Sequence, residues 1–252
     1  MVKLNKIAGF LNEYLKTSDF DDSSWNGLQI EGRENVEKIV FAVDAGAETF
    51  ERAAAAGADL VIVHHGLFWK NSDPSIADWN KKRIDPLYNN KISLYASHLP
   101  LDAHNEVGNN AEILKMLGAK ATDEFSRHGG QFIGKIGEMN EHSTIKEIEK
   151  KLQDQLGAKC ISLSFGTDKI RKIAACSGAP GYAGFFEALN KDVDLYITGD
   201  ASEVYMAAKD AGFNAIFAGH HATETAGLKA LSAVVEKKFN TENIFIDIPT
   251  GL

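Results

Sequence analysis

Cysteine is scarce in this chain: two residues in 252, Cys160 and Cys176. They fall in separate segments without CxxC spacing. That excludes a disulfide scaffold and a thiolate metal cluster, and two reduced, buried thiols in a cytosolic protein are the expectation. Long apolar runs are also missing, none approaching the roughly 18–20 residues that cross a bilayer. The opening MVKLNKIAGFLNEYLK alternates charge with apolar residues at helical spacing. It lacks the apolar stretch and small-residue cleavage site of a signal peptide. Positive charge is in deficit, Lys+Arg 27 against Asp+Glu 35, for a net −8. Such a balance argues against non-specific binding to a phosphate backbone or an anionic membrane, while allowing a local basic pocket. The sequence reads as that of a soluble, cytoplasmic protein.

What is present suits a globular α/β protein: 44% hydrophobic and 25% charged residues over a length that builds one large domain or two modest ones. After a first helix and the turn-rich TSDFDDSSWNGLQIEG, the run KIVFAVDA reads as a strand and AETFERAAAAG as a helix closed by glycine. DLVIVHH and ISLYASH follow as strands and NNAEILKMLG as a helix. Unbroken Val/Ile/Leu runs suit strands buried on both faces, so the sheets are expected to be mainly parallel and covered by helices. ATDEFSRHGG (121–130) is polar and turn-rich and predicts a boundary, giving α/β halves at 1–126 and 127–252. The second half runs through QFIGKIGE, the helix STIKEIEKKLQDQLG, KCISLSFG and KIRKIAACSG, then DLYITGD, a helix near 202–212 and NAIFAG. A helix near 223–239 and the strand NIFIDIP close the chain and can pack back on the first half.

Six of the eight histidines sit just past three predicted strand ends. VIVHHGLFW carries His64 and His65, SHLPLDAHNEVGNN carries His98, Asp102 and His104, and AIFAGHHATE carries His220, His221 and Glu224. Adjacent side chains of a strand point to opposite faces, so an HH pair converges only where the backbone turns. Gly66 and Gly219 allow such turns. A helix–Gly–strand unit precedes each HH pair, at Ala56-Gly57 and Ala211-Gly212. His220 and Glu224 are four apart and share a face if a helical turn begins at His220; if it begins at Thr223, His220 lies on the preceding loop. Imidazoles with carboxylates suit zinc, iron, manganese, cobalt or nickel better than calcium. The set is large enough for two divalent ions, which can activate water and hold developing negative charge. His128 and His142 read as solvated, and Trp25, Trp69 and Trp79 as packing or cleft-lining residues. ACSGAPGYAG can be a tight turn or a phosphate loop on helix amides, and matches no phosphate-loop motif. Cys176 with a histidine would make a nucleophile pair, but no third, orienting group is visible.

VIVHHGLFW, SHLPLDAH, ITGDASE and AGHHATE together resemble the Nif-three-like dinuclear metal-binding family, whose members carry the label GTP cyclohydrolase I type 2 homolog. The likeness runs from DDSSWNGLQIEG to FIDIP, and the absence of a large middle domain makes it similar to the compact bacterial form. The resemblance implies a dinuclear centre in the cleft between two α/β halves. Its ligands would be His64, His65, Asp102, His220 and Glu224, with His98, His104 and His221 second to the metals or facing substrate. It also implies a toroidal homohexamer. The function expected is that of a metal-dependent hydrolase attacking a nucleotide or related small anionic substrate, at C8 of a guanine ring if the label holds, with His98 or His104 relaying protons. Two alternatives stand beside it: a metal-binding regulatory or scaffold protein, and a hydrolase of single-stranded nucleic acid, which the negative charge disfavours.

Overall fold

A computed structural model describes residues 1–252. In chain order its elements are β1 (Val2–Lys3), α1 (Leu4–Tyr14), β2 (Gly27–Ile30), β3 (Asn35–Val36), β4 (Lys38–Asp44), α2 (Ala47–Ala55), β5 (Leu60–His65), α3 (Asp78–Asn90), β6 (Ser93–Ala96) and α4 (Leu99–Ala103). Then come α5 (Asn109–Leu117), β7 (Ala119–His128), β8 (Gln131–Ser143), α6 (Ile145–Leu156), β9 (Ile161–Leu163), β10 (Ile170–Cys176) and α7 (Gly181–Leu189). β11 (Leu195–Thr198), α8 (Tyr205–Ala211), β12 (Asn214–Phe217), α9 (His220–Thr223), α10 (Thr225–Phe239) and β13 (Glu242–Phe245) complete it. The chain forms two compact units, Met1–Leu101 with Leu228–Ile248, and Asp102–Gly227 with Pro249–Leu252. No helix is long and apolar enough to cross a membrane.

Unit 1 is built on a five-stranded sheet of order β13-β4-β5-β6-β2, parallel except for the β2–β6 pair. Helices cover it, so β4 and β5 are buried on both faces, which is why their sequences run apolar without alternation. Val40, Val61, Val63, Leu94, Phe50 and Leu87 share one core. Each such side chain contributes roughly 1.5–3 kcal/mol of burial. Helix α3 has no counterpart in the sequence reading. Pro86 lies inside it, and only Asn80, Ile84 and Leu87 are buried, so its apolar stripe is too thin to stand out. The closing strand β13 pairs in parallel with β4, from Glu242 opposite Lys38 to Phe245 opposite Phe41.

Unit 2 holds a six-stranded sheet of order β7-β8-β10-β11-β12-β9. Only β10–β11 and β11–β12 are parallel, so this sheet is mixed where a mainly parallel one was expected. The difference comes from ATDEFSRHGG, which is the outer half of a long hairpin and no boundary; Gly129 and Gly130 turn it at φ 53° and 90°. As an edge strand, β7 exposes its polar residues and buries Phe125, which packs where Gly134 leaves room. The compact units divide instead at Leu101–Asp102, within α4, where the composition does not change. Helix α6 starts as read, with a Thr144–Glu147 capping box, and ends on Gly157. Ile113, Ile148, Leu152, Ile173, Leu195 and Ile216 anchor the core of this unit.

Candidate functional site

In unit 1 the parallel register does the positioning. Asp44 at the end of β4 lies opposite His65 at the end of β5, and Val63 pairs with Ala96, two residues before His98. His64, His65 and His98 thereby each offer a ring nitrogen within 4.8 Å of the others. Each Nδ1 faces an acceptor: His64 the carbonyl of Ser97 at 3.0 Å, His65 the carboxylate of Asp44 at 2.8 Å, and His98 that of Asp22 at 2.9 Å. Acceptors at Nδ1 select the tautomer whose Nε2 is the coordinating nitrogen, as behind many metal-bound histidines. His64 is wholly buried, while His65 and His98 are partly exposed. Asp22 also accepts from the Ser24 and Leu99 amides and from Asn26, whose Oδ1 holds the His98 amide. Burial alone would raise the Asp22 pKa. The hydrogen bond and charge of His98, with Asn26 and the Ser24 amide, outweigh it and bring the group down to about 2. The Trp69 ring stands edge-on to His98 with centroids 5.1 Å apart.

In unit 2 the HHATE segment forms the single turn α9, so His220 and Glu224 share a face, His220 Nε2 lying 3.3 Å from Glu224 Oε1. Asp200, just past β11, approaches His220 Nδ1 at 3.1 Å. Glu224's hydrogen bond, working against burial and joined by the charges of Glu224 and Asp200, raises His220 to about 9. A metal ion held there would displace that proton. Two glycines make the nest possible. A Cβ on Gly178, which sits at φ +65°, would lie 2.4 Å from Glu224 Oε1; one on Gly199 would lie 2.6 Å from the Gly178 carbonyl oxygen and 2.8 Å from His220 Cα. Asp102, 4% exposed, accepts on Oδ1 from Asn109 and from Ser177, each at 2.8 Å.

Other sequence-derived residues fall differently. His104 caps a turn: its Nδ1 accepts the amides of Glu106 and Val107 at 3.2 Å each. His221 is buried, and His128 and His142 are exposed. Trp25 and Trp79 are largely exposed rather than packed. Burial pushes the Cys176 thiol up to about 12 and the Cys160 thiol up to about 11, so neither is a nucleophile at neutral pH. ACSGAPGYAG is a tight turn whose Gly178 amide donates to Thr223. Sequence reasoning missed Asp22, Asp44 and Asp200, which orient three of the histidines, and Ser177 and Asn109, which hold Asp102. Asp200 belongs to ITGDASE, a motif that marks a strand end without showing what its aspartate faces. Asp22 lies in the turn-rich DDSSWNG, where nothing local marks it.

The donor sets fit a first-row divalent metal: oriented imidazoles in unit 1, an imidazole and carboxylates in unit 2, and no all-oxygen cage of the kind calcium prefers. Fold and donors together define a two-unit α/β protein whose strand-end histidines could hold a metal ion. Comparison with known proteins agrees with the fold. The profile of Duf34/NIF3 (NGG1p interacting factor 3) matches residues 2–250, and the chain belongs to that family. It is 42% identical over 252 residues to the GTP cyclohydrolase 1 type 2 homolog of Archaeoglobus fulgidus, covering 100% of both. Among solved structures it is similar to the protein ybgI, of unknown function, with a TM-score of 0.92 and 36% identity, and to TTHA1606 from Thermus thermophilus, with 0.89 and 36%. Both alignments cover 100% of each chain.

Proposed function

We propose that the protein is a dinuclear metal-dependent hydrolase acting on a nucleotide or related small anionic molecule. The ligands of its two divalent ions are His64, His65, Asp102, His220 and Glu224. The observation that carries the reading is the adjacent pair His64 and His65 at the end of β5, each turned by an acceptor at Nδ1. Packing needs no such arrangement, and metal ligation does. When bound, two divalent ions lower the pKa of water and offset charge that develops on the substrate. His98, held by Asp22, is placed to exchange a hydrogen bond with the reacting group. His104, whose Nδ1 already accepts two amides, carries its proton on Nε2 and can offer it in a hydrogen bond. The naming of relatives as GTP cyclohydrolase 1 type 2 homologs supports a purine nucleotide as the first substrate to try. Asp22, Asp44 and Asp200 offset part of the metal charge, so less is left for a substrate anion than Asp102 and Glu224 alone would leave. A cytoplasmic, toroidal homohexamer completes the reading.

Elemental mass spectrometry on untagged, chelator-free protein tests it first. About two ions per chain are expected, lost in His64→Ala and in Glu224→Ala. A metal-loaded chain should then turn over one member of a nucleotide and phosphoester panel, and Asp102→Asn should stop it. Metal without turnover across the panel would make the protein a metal-binding regulator or scaffold. No metal at all, even with divalent ions added, would leave the histidines structural.

A further inference from the structure

Two neutral donors meet Asp102 Oδ1, and both are themselves anchored. Asn109 and Ser177, 0% and 6% exposed, converge on the same oxygen, Oδ1. Asn109 presents its amide nitrogen to Asp102 and its Oδ1 to the Gly227 amide, 2.9 Å away. Gly227 is pressed so closely that a Cβ there would lie 2.5 Å from that same oxygen. Ser177 is fixed through its own amide, which donates to Asn110 Oδ1 at 2.6 Å, and Asn110 in turn donates to the Ile133 carbonyl at 2.8 Å. The next residue, Gly178, donates its amide to Thr223 and lies against Glu224. The hydrogen-bonded frame around Asp102 therefore ends on Thr223 and Gly227, which flank Glu224 in the chain.

Two donors on one carboxylate oxygen fix the rotation of the group and engage that oxygen. We infer that Asn109 and Ser177 are positioning residues that hold the Asp102 carboxylate in the orientation of a metal ligand and fix its place relative to Glu224. The inference rests on the metal reading above.

Cobalt and zinc binding to the full-length protein, measured by chelator competition together with the visible spectrum of bound cobalt, tests it. Ser177→Ala should weaken binding about 10–100-fold and alter the cobalt band, while the unfolding midpoint of the metal-free chain stays close to wild type. Ser177→Thr, which keeps the hydroxyl, should restore both. Asn109→Asp keeps an acceptor for Gly227 but sets a second carboxylate against Asp102, and should also weaken binding and alter the band. Wild-type binding with unchanged affinity and spectrum in Ser177→Ala and Asn109→Asp overturns the positioning role alone. A wild-type chain that binds neither ion overturns the metal reading, and this one with it.

Discussion

In unit 1 the candidate ligands are nitrogens with acceptors behind them; in unit 2 they are mainly carboxylate oxygens, and Asp102 has donors behind it. The positioning differs as well. Register between parallel strands sets the first group, so Asp44 and His65 meet because their strands align. Missing side chains set the second, since Gly178 and Gly199 let the HHATE turn approach two strand ends closely. The contrast follows from chemistry. An imidazole coordinates as a neutral base and gains from an acceptor that holds its proton on the far nitrogen, whereas a carboxylate is oriented by donors.

Deleting one ligand from each unit should have the greatest effect on this contrast. Glu224→Gln is expected to abolish turnover and weaken metal binding while circular dichroism and the unfolding midpoint stay near wild type; unchanged turnover would remove Glu224 from the site. His64→Ala should empty the protein of metal, as Glu224→Ala should. Metal retained in that variant but lost in Glu224→Ala would mean that unit 2 binds alone. A smaller effect is expected behind the ligands. Asp44→Ala takes the acceptor from His65 and should cost about 10–100-fold in zinc affinity, read by chelator competition.

Glycine substitutions probe the difference in positioning. Gly199→Ala forces a Cβ against the Gly178 carbonyl and the His220 backbone, and should destabilise the fold by about 1–3 kcal/mol in urea while lowering metal content. Gly46→Ala, at the start of α2 in unit 1, meets nothing nearer than 3.9 Å, and its stability should stay within about 0.5 kcal/mol of wild type. The effect of pH is the least of these. Folding lowers the Asp22 pKa from 3.8 to about 2, so its contribution to stability is complete above pH 3.8 and is lost as pH falls through about 2. The stability gap between wild type and Asp22→Asn should close as pH falls from 4 to 2. A gap that stays open at pH 2 would show that the Asp22–His98 pair owes nothing to charge.

Much of this was legible because some physical causes are local. Burial on both faces writes itself into KIVFAVD and LVIVHH as unbroken apolar runs, and the Thr144–Glu147 box marks the start of α6. The HH pairs announced the site for the same reason, since few other uses put two imidazoles at a strand end. What stayed hidden depends on distant partners. Asp44 is 21 residues from His65, Asp22 is 76 from His98, and Ser177 is 75 from Asp102. A lone Asp or Ser carries no sign of such a pairing. Strand β7 was misread because an edge strand keeps its polar residues outward and so looks like a loop.

The pairing of β13 with β4 has a consequence for synthesis. Glu242 lies opposite Lys38, 204 residues earlier (242 − 38). At about 5–20 residues per second, the ribosome delivers that partner roughly 10–40 seconds after β4 has emerged. Until then the flank of β4 that β13 will fill stays open, while every strand of the six-stranded sheet has already been made. The later-encoded sheet is thus able to close first, and the nascent chain passes through an interval in which the earlier sheet stands open at β4.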